Sequence, residues 1–163
     1  MLDQEIRDLA AEVIAVARAK GVRLTTAESC TGGLVAAALT GVAGSSAVFD
    51  RGFITYSNEA KSGMIGVSET VILDHGAVSA EVAGAMATGA RAASGVELAV
   101  AVTGIAGPGG GSAKKPVGLV WFGIASDADT GTREMRFGDL GRDNVRREAV
   151  SVALRMLLER LTA

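Results

Sequence analysis

The chain of 163 residues contains a single cysteine and a single histidine. One cysteine excludes an internal disulfide, and together the two leave too few ligands for a zinc site of the usual kind, so no metal is expected. Aromatic residues make up only 4% and the formal net charge is −2. Stacking platforms and the basic footprint of a nucleic-acid binder are therefore both missing. No apolar run approaches the roughly 18 residues of a membrane span. The opening Met1-Leu2-Asp3-Gln4-Glu5 has neither the basic nor the apolar region of a signal peptide. These absences lead us to expect a cytoplasmic protein with no membrane or nucleic-acid partner.

What the chain does have is a 48% hydrophobic content and 22 glycines. With so few aromatics, Ala, Val, Leu and Ile must fill the core, and the length suits one domain over residues 1–163. The glycines cluster, which suggests backbone brought close to a ligand.

Ile6, Leu9, Val13 and Val16 recur at three- and four-residue steps, so residues 3–19 read as an amphipathic helix. Residues 23–26 read as a strand and 34–39 as a helix of small residues. The β-rich run 48–56 follows, then short helices over 58–65, capped by Ser57 or Asn58, and 68–73, capped by Ser68. An Ala-rich helix over 79–93 has Ser79 as its cap and Gly95 as its stop. The apolar runs 96–102 and 117–125 read as buried strands. Residues 132–137 suit an edge or hairpin strand, and 143–161 a closing helix capped by Asp143. This order predicts an α/β fold: a single three-layer αβα domain with a mixed, mostly parallel sheet.

Chemistry concentrates in Thr26-Ala27-Glu28-Ser29-Cys30-Thr31-Gly32-Gly33. A small nucleophile lies there at a strand-to-helix junction, where free N–H groups can hold a developing negative charge. Ser29 needs a base. His75, before Gly76, reads as the C-terminal residue of a helix, which leaves a lysine, a tyrosine or a carboxylate. Cys30 lacks an imidazole to activate it, and strand alternation turns it to the opposite face, so a buried structural role is expected.

Tyr56 and Lys61 lie where a strand end meets a helix start, on the rim that Ser29 also occupies if its strand runs parallel. A lysine base must be neutral, and only about one lysine in two thousand is neutral at pH 7. Burial and the positive end of a helix can supply the roughly 4 kcal/mol that changes this, with Glu59 opposing. On spacing alone, a surface lysine beside a half-buried tyrosine is an equally open reading.

Residues 103–112, Thr-Gly-Ile-Ala-Gly-Pro-Gly-Gly-Gly-Ser, can form an anion-binding nest or a plain surface loop. They match neither G-x-x-x-x-G-K-[ST] nor G-x-G-x-x-G. Arg142 and Arg146 stand four apart at a helix N-terminus, where cations are unfavourable. A bound phosphate explains them; a salt bridge from Arg146 to Glu28 or Asp139 is the alternative.

The blocks T-T-A-E-S-C-T-G-G, G-F-I-T-Y-S-N-E-A-K, H-G-A-V-S, V-T-G-I-A-G-P-G-G-G and K-P-V-G-L-V-W-F together closely resemble the CinA C-terminal family, in order and over essentially the whole chain. Its stand-alone members include a bacterial nicotinamide-nucleotide amidase, and the chain resembles that form. The resemblance implies hydrolysis of nicotinamide mononucleotide to nicotinate mononucleotide and ammonia, in pyridine-nucleotide recycling. It also implies a serine nucleophile at Ser29 with Tyr56 and Lys61 as partners, substrate contacts at Thr103 and Arg142, and a homodimer. Beside it, the residues themselves suggest that amides around Thr31, Gly32 and Gly33 hold the oxyanion. Arg142, Arg146 and the glycine loop from Gly104 onward suit the 5′-phosphate. Neither metal nor cofactor is needed.

Two rivals stand against this. In a tyrosine–lysine dehydrogenase the spacing is Tyr-x-x-x-Lys, one residue shorter than from Tyr56 to Lys61. A non-catalytic module that binds a nucleotide or a partner protein is the other.

Overall fold

The computed structural model describes residues 2–163. In chain order its elements are α1 (Gln4–Lys20), β1 (Leu24–Glu28), α2 (Leu34–Thr40), a 3₁₀ turn (Ser45–Ala47), β2 (Phe49–Ile54), α3 (Asn58–Ile65), α4 (Glu69–His75) and α5 (Ala80–Ser94). There follow β3 (Leu98–Gly104), β4 (Leu119–Ala125), β5 (Thr130–Arg136) and α6 (Arg142–Thr162). Ser57 and Ser79 cap α3 and α5 by accepting from the N–H groups of Ala60 and Val82, and Gly95 ends α5 in the left-handed conformation. Ser68 occupies the cap of α4 without a side-chain bond, and His75 ends that helix.

The strands form one sheet in the order β2-β1-β3-β4-β5. β1 runs parallel to both β2 and β3, whereas β3–β4 and β4–β5 are antiparallel. The sheet is mixed as expected: β2, β1, β3 and β5 run one way, and of the five strands β4 runs against them. The reason lies in the connections. A parallel return needs a helical crossover, and residues 105–118 and 126–129 carry no helix.

Alternation along β3 sorts the two faces. Leu98, Val100 and Val102 join Ile6, Val13, Val145, Leu154 and Leu157 in the core beneath α1 and α6. Ala99 and Ala101 face the other way, against Val82, Met86 and Ala87 of α5. Small residues on this side let α5 lie close to the sheet. A side chain at Gly123 of β4 would collide with the Ala83 carbonyl of α5, so that crossing requires glycine. The three parallel strands end on one rim, and everything chemical gathers there.

Candidate active site

Ser29 extends β1 by one residue, its N–H donating to Val102 O at 2.9 Å. The chain then turns through Gly32 (φ +57°) and Gly33 (φ +99°), a left-handed pair that glycine adopts without strain. Gly33 is the cap residue of α2 and offers no side-chain bond. Glu28 does the capping instead. Its Oε1 accepts from Val35 N at 2.8 Å and its Oε2 from Ala36 N at 3.0 Å, so the helix N-terminus is already occupied by the protein's own carboxylate. Any anion hole must come from the turn before it. There the Gly32 N–H donates to Ser29 O at 3.0 Å. Among the described residues, those of Cys30, Thr31 and Gly33 make no hydrogen bond within the protein.

Lys61, the fourth residue of α3, is 1% exposed. The surface-lysine reading is thereby excluded. Its Nζ lies 3.3 Å from Ser29 Oγ and donates to Thr55 O at 2.9 Å, Tyr56 O at 3.3 Å and, more weakly, Ser57 O at 3.5 Å. Thr55 N–H donates to Glu28 O at 2.8 Å, which sets these carbonyls beside the end of β1. Burial holds the lysine below the usual value for an amine, against an opposing pull from Glu59. Cys30 would also oppose the shift as a thiolate, but burial pushes its thiol up to about 12, so it stays neutral. It packs in the core as expected, unfit to be a nucleophile.

Tyr56 is placed differently from expectation. Its side chain is 59% exposed rather than half-buried, and its hydroxyl accepts from Arg142 Nη2 at 3.1 Å. Only its main-chain carbonyl touches Lys61, so the structure joins serine and amine directly, without a phenol between them.

Gly141 (φ +84°), not Asp143, is the cap residue of α6. Arg142 therefore opens the helix, donating to Gly107 O at 2.9 Å, and Arg146 follows one turn later, donating to Cys30 O at 3.1 Å and Thr31 O at 3.4 Å. Arg146 bridges neither Glu28 nor Asp139. No carboxylate pairs with either arginine among the described residues, which leaves two cations uncompensated at a helix N-terminus. Thr103 is buried, and its hydroxyl donates to Ala77 O at 2.8 Å, tying β3 to the segment before α5. At Gly104 a Cβ would come within 2.7 Å of Val120 Cγ2, so strand packing accounts for that glycine.

The chemistry, not concavity, marks this site. A groove of 530 Å³ between α1 and α2 is lined by other residues, Ile6, Ala11, Ala38 and Val42 among them. No group of three His, Cys, Asp or Glu side chains among the described residues could hold a metal ion, and no helix there is long and apolar enough to cross a membrane. Sequence reasoning missed Glu28 as a structural centre of the site. The available signal was a carboxylate closing a strand just before a helix whose cap residue is glycine.

A mixed-sheet αβα domain that seats a serine against a buried lysine at the ends of its parallel strands defines the class. The chain belongs to the CinA C-terminal domain family, whose profile matches residues 6–161. Nicotinamide-nucleotide amidohydrolase PncC of Escherichia coli K12 is 52% identical over 159 residues, covering 96% of this chain and 95% of that protein. A CinA-like protein of Geobacter sulfurreducens is 51% identical over 144 residues, which are 88% of this chain but 35% of that one. The solved structure of competence/damage inducible protein CihA from Agrobacterium tumefaciens superposes with a TM-score of 0.97 at 49% identity, over 100% of this chain and 99% of that one.

Proposed function

We propose that the chain hydrolyses the carboxamide of nicotinamide mononucleotide to nicotinate mononucleotide and ammonia, with Ser29 as nucleophile and Lys61 as its base. The observation that carries this is the buried Lys61 amine 3.3 Å from Ser29 Oγ. The identity to amidohydrolases of the PncC name supports the substrate. A neutral amine has two N–H groups and one lone pair. The two nearer carbonyls, of Thr55 and Tyr56, take the N–H groups, Ser57 O lies further off at 3.5 Å, and the lone pair is left for the Ser29 proton.

In this scheme Ser29 Oγ bonds to the amide carbon as Lys61 takes its proton. The oxyanion is held by N–H groups of the Cys30–Gly33 turn, chiefly that of Gly33, which is partly exposed. The C–N bond then breaks, and the nitrogen leaves as ammonia with the proton from Lys61. Water gives a proton to the same amine and attacks the ester. Ser29 recovers that proton as the carboxylate departs. The scheme needs no redox cofactor and no metal. Arg142 and Arg146, unpaired at the N-terminus of α6, receive the 5′-phosphate beside the glycine loop, and Tyr56 flanks it through Arg142. The reading places the protein in the cytoplasm, in pyridine-nucleotide recycling, as a homodimer.

The test is ammonia release from nicotinamide mononucleotide. The wild type turns over, and Ser29→Ala and Lys61→Met each lose about 10³-fold or more in kcat. Nucleotide binding without turnover in the wild type would replace the enzyme with a binding module.

A further inference from the structure

We propose that Glu28 is a positioning residue for this reaction, holding the turn that carries Ser29 and the oxyanion N–H groups in its reacting shape by way of Thr31 and the first turn of α2. The proposal rests on the amidase reading above and names a part of its machinery.

Glu28 is 1% exposed and, among the described residues, has no cation partner. A carboxylate buried this way is costly unless donors surround it. Here Thr31 Oγ1 donates at 2.7 Å and Val35 N at 2.8 Å to one oxygen, and Ala36 N at 3.0 Å to the other, with Thr26 Oγ1 further off at 3.5 Å. All four donors belong to the strand, the turn and the helix, and neither oxygen bonds the Ser29 or Lys61 side chain.

A helix cap alone does not explain such a residue. A serine or aspartate at the cap position would satisfy the same N–H groups without burying a charge from a strand end. That solution is closed because the cap position is Gly33 at φ +99°, where a side chain is strained. The glycine that shapes the turn cannot cap the helix, and Glu28 reaches across to do so. Thr31 completes the arrangement. It is fully buried with its hydroxyl turned to Glu28, so it is committed to the shape of the turn rather than to contact with a substrate. Glu28 thus binds both ends of the turn, the strand by covalent continuity with Ser29 and the helix by hydrogen bonds, with Thr31 fixed between them.

The replacement Glu28→Gln keeps the shape but sets an NH₂ donor against an N–H donor, leaving one buried group unmatched. Thr31→Val removes the hydroxyl at constant volume and serves if Glu28→Gln does not fold. Two readouts are needed: steady-state ammonia release, and the rate at which a fluorophosphonate labels Ser29, which senses nucleophile and oxyanion geometry without the nucleotide. Each variant should lose about 10- to 100-fold in kcat and in labelling rate with KM changed by less than about 3-fold, since misplaced oxyanion donors act on the transition state. The double variant should lose less than the product of the two single losses, because both act on one turn. Unchanged kcat and labelling, or a raised KM at constant kcat, overturns the proposal. If the wild type labels at Ser29 but releases no ammonia, the amidase reading fails, and Glu28 is judged on labelling alone. If it neither labels nor turns over, both fall.

Discussion

Lys61 faces two opposed demands. The main-chain carbonyls around Nζ favour the charged ammonium, and removal from water favours the neutral amine. Burial wins, because the amine is enclosed and keeps both N–H bonds when neutral. kcat/KM should therefore rise with pH through the lowered Lys61 value and then level off, read from ammonia release across a buffer series. Lys61→Arg, which stays charged at every accessible pH, should be inactive throughout. A pH-independent rate, or an active arginine variant, contradicts a lysine base. Stability follows the same sign. The folded state binds fewer protons than the unfolded one, so this residue adds stability as pH rises from its folded value to the ordinary lysine value.

Among the elements, α6 carries the clearest division of labour. Its first turn presents Arg142 and Arg146 to the site, while Arg147 turns away to α1, donating to Asp3 at 2.9 Å and to Glu5 at 2.6 Å, with Arg155 also on Glu5 at 2.8 Å. Hydrogen bonds from Arg147 hold Asp3 and Glu5 below their ordinary values of 3.8 and 4.5, and raise the arginine's own. Depressed carboxylates stabilise the fold fully above their unfolded values and cease to as pH falls through the folded ones. Urea midpoints should drop as pH is lowered below about 4, and Arg147→Ala should flatten that drop. An equally steep loss in the variant would place the acid sensitivity elsewhere. Helix boundaries set by Ser57, Ser79 and Gly95 were legible because each carries its own capping chemistry. The start of α6 was not. Asp143 has the right side chain for a cap, but Gly141 has the backbone freedom, and φ of +84° decided the matter.

At the scale of the molecule, three segments far apart in sequence meet on one rim: the end of β1, the approach to α3 and the start of α6. In the parallel half, β3 was legible from its continuous apolar run and β2 from its branched and aromatic residues, and a parallel β1 puts Ser29 on the rim of Lys61. The β4–β5 hairpin was legible from the alternation over 132–137, whereas the direction of β4 against β3 was not, because an apolar run shows burial, not direction. The side-chain roles of Tyr56 and Thr31 were beyond reach for a related reason. Each depends on which way a side chain turns across a turn or cleft, and spacing alone does not encode that. The convergence makes one lysine unlike every other in the chain. Titration of Lys61 followed by ¹³Cε and ¹⁵Nζ NMR, assigned by Lys61→Met, therefore tests the account most directly. It should titrate well below the other lysines and follow them only when the protein is unfolded. A Lys61 that titrates in the folded protein near the ordinary lysine value of about 10.4 would contradict the account.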